Sequence, residues 1–102
     1  MLNIKKTIEN AAAIFTLEGR LDTSTAPELD QELKSSLNGV TALTLDMKDL
    51  VYISSAGLRV LLSAQKIMNK QGKMTVRNVN ETVMEIFEVT GFSDILDIEG
   101  AD

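Results

Sequence analysis

The spacing of apolar residues changes along this chain, and each change predicts an element. Leu2, Ile4 and Ile8 share one parity, which predicts a first strand, and Glu9-Asn10 predicts a turn. Ala11 to Leu17, with Ile14, Phe15 and Leu17, is more continuously apolar and reads as a second strand covered on both faces. The short connection predicts that the two form a hairpin. Thr25-Ala26-Pro27-Glu28 has the spacing of a capping box, with Pro in the first turn where a missing N–H does little harm. Leu29, Leu33 and Leu37 follow at i, i+4 and i+8, and Asn38-Gly39 offers a left-handed stop, so a helix is predicted from about residue 26 to 38. Leu43, Leu45 and Met47 alternate within a strand from Thr41 to Met47, and Lys48 to Ile53 reads as a connection. Gly57, Val60, Leu61, Ala64, Ile67 and Met68 then recur at helical spacing, with Arg59, Ser63, Lys66 and Lys70 on another face. This helix ends near Gln71-Gly72. Lys73 to Val79 predicts a short strand. Asn80 caps a third helix whose face is Val83, Ile86, Phe87 and Thr90, and Gly91 ends it. Ile95, Leu96 and Ile98 predict a last strand or edge segment.

The order is strand, strand, helix, strand, helix, strand, helix, strand. That alternation predicts an α/β fold with a mixed β-sheet of four to five strands and helices packed on it. No internal repeat, low-complexity segment or linker interrupts the chain, so residues 1–102 are expected to form one domain.

Composition narrows the chemistry. The net charge of −5 argues against binding nucleic acid directly, because that needs Lys and Arg to displace counterions. The chain has no Cys and no His, which removes disulfides, thiolate nucleophiles, Ser-His-Asp triads and the usual zinc sites. There is no Walker loop and no Gly-x-Gly-x-x-Gly, and Ser55 lacks the glycine two residues earlier that a nucleophile elbow requires. Asp46 and Asp49 lack the neighbours of a cation loop; Asp46 reads instead as a strand-end residue that organises the loop after it by hydrogen bonding. A non-enzymatic protein without cofactor or metal is expected. No apolar stretch is long enough to span a bilayer and the first residues carry no signal-peptide run, so a cytoplasmic protein without membrane association is expected. The Met residues are expected to fill the core, and Lys66 and Lys70 to be solvated.

One stretch organises the rest. In Tyr52-Ile53-Ser54-Ser55-Ala56-Gly57-Leu58, two hydroxyls precede a helical pattern, so Ser54 or Ser55 is the natural N-cap. A helix start favours negative charge, so a serine there can carry a phosphate without disturbing the helix. Small Ala56 and Gly57 are expected to let a partner approach the backbone closely.

The run Leu45-Asp46-Met47-Lys48-Asp49-Leu50-Val51-Tyr52-Ile53-Ser54-Ser55-Ala56-Gly57-Leu58 resembles the signature of STAS domains of bacterial anti-sigma factor antagonists. Gly19-Arg20-Leu21-Asp22 is similar to that family's Gly-x-Leu-Asp, and Val83, Phe87, Thr90-Gly91-Phe92 and Leu96 are similar to its C-terminal helix and the segment after it. The resemblance implies a partner-switching module. Its unphosphorylated form binds an anti-sigma factor that is also a serine kinase, so releasing a sigma factor. The kinase phosphorylates it at the helix start, and a metal-dependent serine phosphatase reverses this. The phosphorylated serine falls on Ser55, with Ser54 as the alternative, and the expected partner surface takes in Asp22, Ser54, Ser55, Ala56, Gly57 and Arg59. The chain departs from the family at Ser54, where an Asp is usual, and at Ala56, where a second Ser or Thr is usual. The alternative is a non-switching STAS scaffold in a transporter or sensory assembly.

Overall fold

The computed structural model describes residues 1–100. β1 (Leu2–Glu9) and β2 (Ala12–Leu21) form the expected antiparallel hairpin, turned at Asn10 with φ of 57°. Three crossovers follow: β2 to α1 (Ala26–Ser36) to β3 (Ala42–Ile53), β3 to α2 (Ser55–Gln71) to β4 (Lys73–Val79), and β4 to α3 (Glu81–Thr90) to β5 (Ile98–Gly100). The strands lie in the order β1-β2-β3-β4-β5, and β2 to β5 are mutually parallel. Each crossover steps one place in the same direction, so right-handed connections put all three helices on one face.

Under those helices the core is continuous. Phe15 and Leu17 of β2, Leu45 and Met47 of β3, Val76 of β4, Leu29 and Leu33 of α1, Leu61 and Met68 of α2 and Phe87 of α3 are all buried. Among the described residues, no layer lies over the opposite face of the sheet. Ile14, Thr16, Thr44 and Thr75 are only half-buried there, so β2 is covered on one face and not on both as its apolar run suggests. At the β1 edge the predicted parity fails at Ile8, which is exposed. Met47, Met68 and Met74 fill the core and Met84 packs against it, whereas Met1 is exposed; Lys66 and Lys70 are solvated as expected.

Three segments differ from the periodic reading. Lys48 to Ile53 is not a connection: β3 runs on to Ile53, pairing with β2 at Glu18↔Asp49, Gly19↔Leu50, Arg20↔Tyr52 and Leu21↔Ile53. Two register shifts along this edge space the successive buried positions Met47, Leu50 and Ile53 three apart, so the period of two is broken although the strand is not. α1 ends at Ser36, before Asn38-Gly39. After α3 the amides of Asp94, Ile95 and Leu96 bond back to Gly91 and Phe92, forming a 3-10 turn over Phe92–Asp94. Of Ile95, Leu96 and Ile98, only Ile98 therefore reaches the sheet. Among the described residues, no helix is long and apolar enough to cross a membrane.

Candidate functional site

The end of the sheet where the parallel strands finish also carries the starts of all three helices. There β2 and β3 are tied by the Ser54 amide, which donates to the Leu21 carbonyl at 2.9 Å. This bond holds Ser54 extended (φ −95°, ψ 175°), the backbone an N-cap requires. Its Oγ accepts from the Gly57 amide at 3.4 Å and its carbonyl accepts from the Leu58 amide at 2.9 Å. Of the two adjacent hydroxyls, Ser54 is thus the cap, half-buried and engaged. Ser55 is the first residue of α2 and is exposed, and no hydrogen bond engages its hydroxyl among the described residues.

Gly57 does not open the backbone to an approaching partner. It is buried, and a Cβ there would lie 2.7 Å from Leu21 Cγ and 2.9 Å from Ile53 Cγ1. Its missing side chain lets the first turn of α2 sit down on the ends of β2 and β3. The outward positions of that turn are Ser55 and Arg59, both exposed, with Ala56 half-buried.

Asp22 follows Leu21 directly and so lies beside this turn. Its Oδ1 accepts from the Ser24 amide at 3.0 Å, the Ser24 hydroxyl at 2.8 Å and the Thr25 amide at 3.1 Å. These bonds, that from the Ser24 hydroxyl first, hold its carboxyl below the usual aspartate range. The capping box expected at Thr25-Ala26-Pro27-Glu28 does not form. Thr25 makes no side-chain cap; its hydroxyl is buried, donating to the Arg20 carbonyl at 2.9 Å and accepting from the Asp22 amide at 2.8 Å. Asp22 itself takes up the free amides before α1. On the helix-free side, the Arg20 guanidinium stands 4.4 Å from the centre of the Tyr52 ring, and its Nε lies 3.8 Å from Asp22 Oδ2. The meeting of Arg20 with Tyr52 is not signalled by the motif spacing, since it depends on β2 and β3 pairing in a shifted register, and Thr25 reaches the Arg20 carbonyl from the turn after β2.

Asp46 is not the strand-end residue expected, because β3 continues past it to Ile53; it ties the Lys48 amide of its own strand to Asn78 and Arg77 of β4. Burial raises its pKa, but the Lys48 amide at 3.1 Å, the Asn78 amide group at 3.1 Å and the Arg77 guanidinium at 3.5 Å outweigh that and hold the carboxyl below its ordinary value. Among the described residues no cluster of three or more acidic side chains could hold a metal ion. A shallow groove of about 280 Å³ along α3, lined by Thr82, Glu85, Ile86, Val89 and Thr90, includes none of the site residues.

A model of the STAS domain matches residues 3–100. BtrV of Bordetella bronchiseptica strain RB50, named as an anti-sigma factor antagonist, is 37% identical over 87 residues, which is 83% of this chain and 75% of that protein. The anti-sigma-B factor antagonist of Bacillus subtilis strain 168 is 32% identical over 83 residues, 80% of this chain and 76% of that one. In fold, the unphosphorylated form of the Bacillus anti-sigma factor antagonist SpoIIAA superimposes with a TM-score of 0.75 at 14% identity, covering 100% of this chain and 90% of that chain. Its phosphorylated form gives 0.73 at 15% identity, covering 96% and 90%. The chain belongs to the STAS domain family, in its group of anti-sigma factor antagonists.

Proposed function

We propose that this STAS domain binds an anti-sigma factor that is also a serine kinase, and that phosphorylation of Ser55 ends the binding. The observation that carries this reading is the division of labour between the two serines. Ser54 supplies the cap, so α2 is held without Ser55, and the Ser55 hydroxyl is left exposed beside free first-turn amides. A phosphate there carries roughly −1.5 to −2 charges, which a helix start tolerates. A docked protein surface without a facing cation does not. An uncompensated charge in an interface costs about 3–5 kcal/mol. At about 1.4 kcal/mol per decade that is roughly two to three and a half decades of affinity. The switch is therefore local and asks for no rearrangement of the fold. The proposed docking surface is the end of the molecule that holds Asp22, Ser54, Ser55 and Arg59, with Ala56 and Gly57 shaping the turn from behind. The proposed setting is the cytoplasm, where ATP supplies the kinase and a metal-dependent serine phosphatase restores the binding form.

The test is incubation with the cognate anti-sigma factor and ATP, followed by intact-mass measurement and binding. The parent and Ser54→Ala should each gain one phosphate and Ser55→Ala none. Ser55→Asp should bind more weakly than Ser55→Ala, though its single charge blocks less than a phosphate. Phosphate on Ser55→Ala, or equal binding by Ser55→Asp and Ser55→Ala, would refute the reading.

A further inference from the structure

Arg59 stands four residues after Ser55, both are exposed, and no side chain forms an ion pair with Arg59 among the described residues. Side chains on a helix lean toward its N-terminus, so residues at i and i+4 lie on one face and the later one reaches back over the earlier. An acidic group N-terminal to a basic one at this spacing is the favourable order. Arg20, the cation after β2's Gly19, is engaged: it lies over Tyr52 and beside Asp22. The acidic residues that the fold places at this end include Asp22 after β2 and Glu28 and Glu81 in the first turns of α1 and α3. None of them can neutralise a phosphate.

We infer that Arg59 is the intramolecular receptor of the Ser55 phosphate. Before modification, Arg59 is a free cation on the proposed docking surface. Afterwards its guanidinium folds back one turn and takes the phosphate oxygens in a bidentate grip. Phosphorylation then changes the surface twice, by adding negative charge and by withdrawing a positive group from the partner. The pair also favours the dianion, so the phosphate carries nearly its full charge at neutral pH.

This inference rests on the proposed function only for the choice of Ser55, and its test needs no kinase. Phosphoserine is installed at position 55 during translation in the full chain, and its second ionisation, near pH 6, is followed by phosphorus NMR. Arg59→Gln should raise that midpoint by about 0.3 of a pH unit. Arg59→Lys should keep part of the difference, and salt at about 1 M should erase it. In the parent, the Arg59 Nε–H resonance should shift as the phosphate ionises. An unchanged midpoint in Arg59→Gln, or an Arg59 resonance blind to the titration, overturns the pairing. Either result leaves the kinase reading standing, and a kinase that ignores Ser55 leaves the pairing standing.

Discussion

Gly57→Ala is the sharpest test of how the first turn of α2 is seated. A Cβ at this position would lie 2.7 Å from Leu21 Cγ, 2.9 Å from Ile53 Cγ1 and 3.0 Å from Leu21 Cδ2. Both neighbours are buried side chains near the ends of paired strands, and the conflict falls on the branch carbon of Leu21 and the stem of Ile53, which no terminal methyl rotation relieves. Overpacking of this kind costs about 1–3 kcal/mol, and two contacts under 3 Å place this site in the upper part of that range. Alanine in place of glycine in a helix returns at most about 1 kcal/mol. The steric effect wins, and the expected net loss is about 1–2 kcal/mol. In a domain of this size that is a fall in melting temperature on the order of 4–16 °C. Thermal unfolding by circular dichroism, with a urea titration to check that the slope is unchanged, measures it. Because α2 can relieve the clash only by lifting from Leu21, affinity for the anti-sigma factor should also drop without any change at Ser55. A melting temperature equal to or above the parent's would show that the turn is not pressed against Leu21 and Ile53, and the seating argument would fail with it.

The same geometry sets three further outcomes. Asp46→Asn should lose about 1 kcal/mol at neutral pH by giving up the charged partner of Arg77. Since the folded-state pKa of Asp46 lies below its ordinary value, the stability it supplies is present above about pH 4 and drains away as the pH falls through the folded value, so the gap between parent and variant should close on acidification; a gap constant with pH would rule this out. Thr25→Val leaves the Arg20 carbonyl and the Asp22 amide without their bonds and should cost about 1–3 kcal/mol in urea unfolding, whereas a neutral result would mean the turn is held by Asp22 alone. Ser54→Ala should cost no more than about 0.5–1 kcal/mol, because its cap bond is long at 3.4 Å, and Ser54→Asp should recover that loss through the helix dipole; equal stability of the Ala and Asp forms would argue against the cap.

The legible part of the chain is the part that repeats locally. The helices are readable through Leu29 and Leu33, through Val60, Leu61, Ala64 and Met68, and through Val83 and Phe87, because burial on a helix recurs within one or two turns. The single-domain mixed sheet is implied by their alternation with short strands. The continuation of β3 is hidden because its register shifts space Met47, Leu50 and Ile53 three apart, a pattern that no strand template contains. The false capping box has the right residue types at the right spacing, but Asp22 competes for the same free amides and Thr25 is drawn inward to the Arg20 carbonyl. Which of Ser54 and Ser55 caps α2 cannot be read from two like neighbours. The bond from the Ser54 amide to the Leu21 carbonyl, 33 positions away in the chain, decides it. The meeting of Arg20 with Tyr52 is likewise a product of strand register, which sequence spacing does not encode.

That long-range bond also bears on position 54, where the signature this chain resembles usually has an Asp. A residue at position 54 has a structural duty set by the backbone: it is held extended by Leu21 and must offer an oxygen to the Gly57 amide. Aspartate and serine both meet that duty, and they differ by one charge. With serine, the unmodified surface carries one carboxylate fewer beside Ser55, while Asp22, kept ionised by Ser24 and Thr25, still supplies one. With Ala56 in the next place, no second hydroxyl is free on that turn. The two departures act differently: Ser54 removes a carboxylate, and Ala56 removes a hydroxyl. On the proposed docking surface they leave Ser55 as the unengaged hydroxyl of the turn, so under the proposed switch the contrast between the two states would be set by a single phosphate and by the Arg59 cation inferred to pair with it.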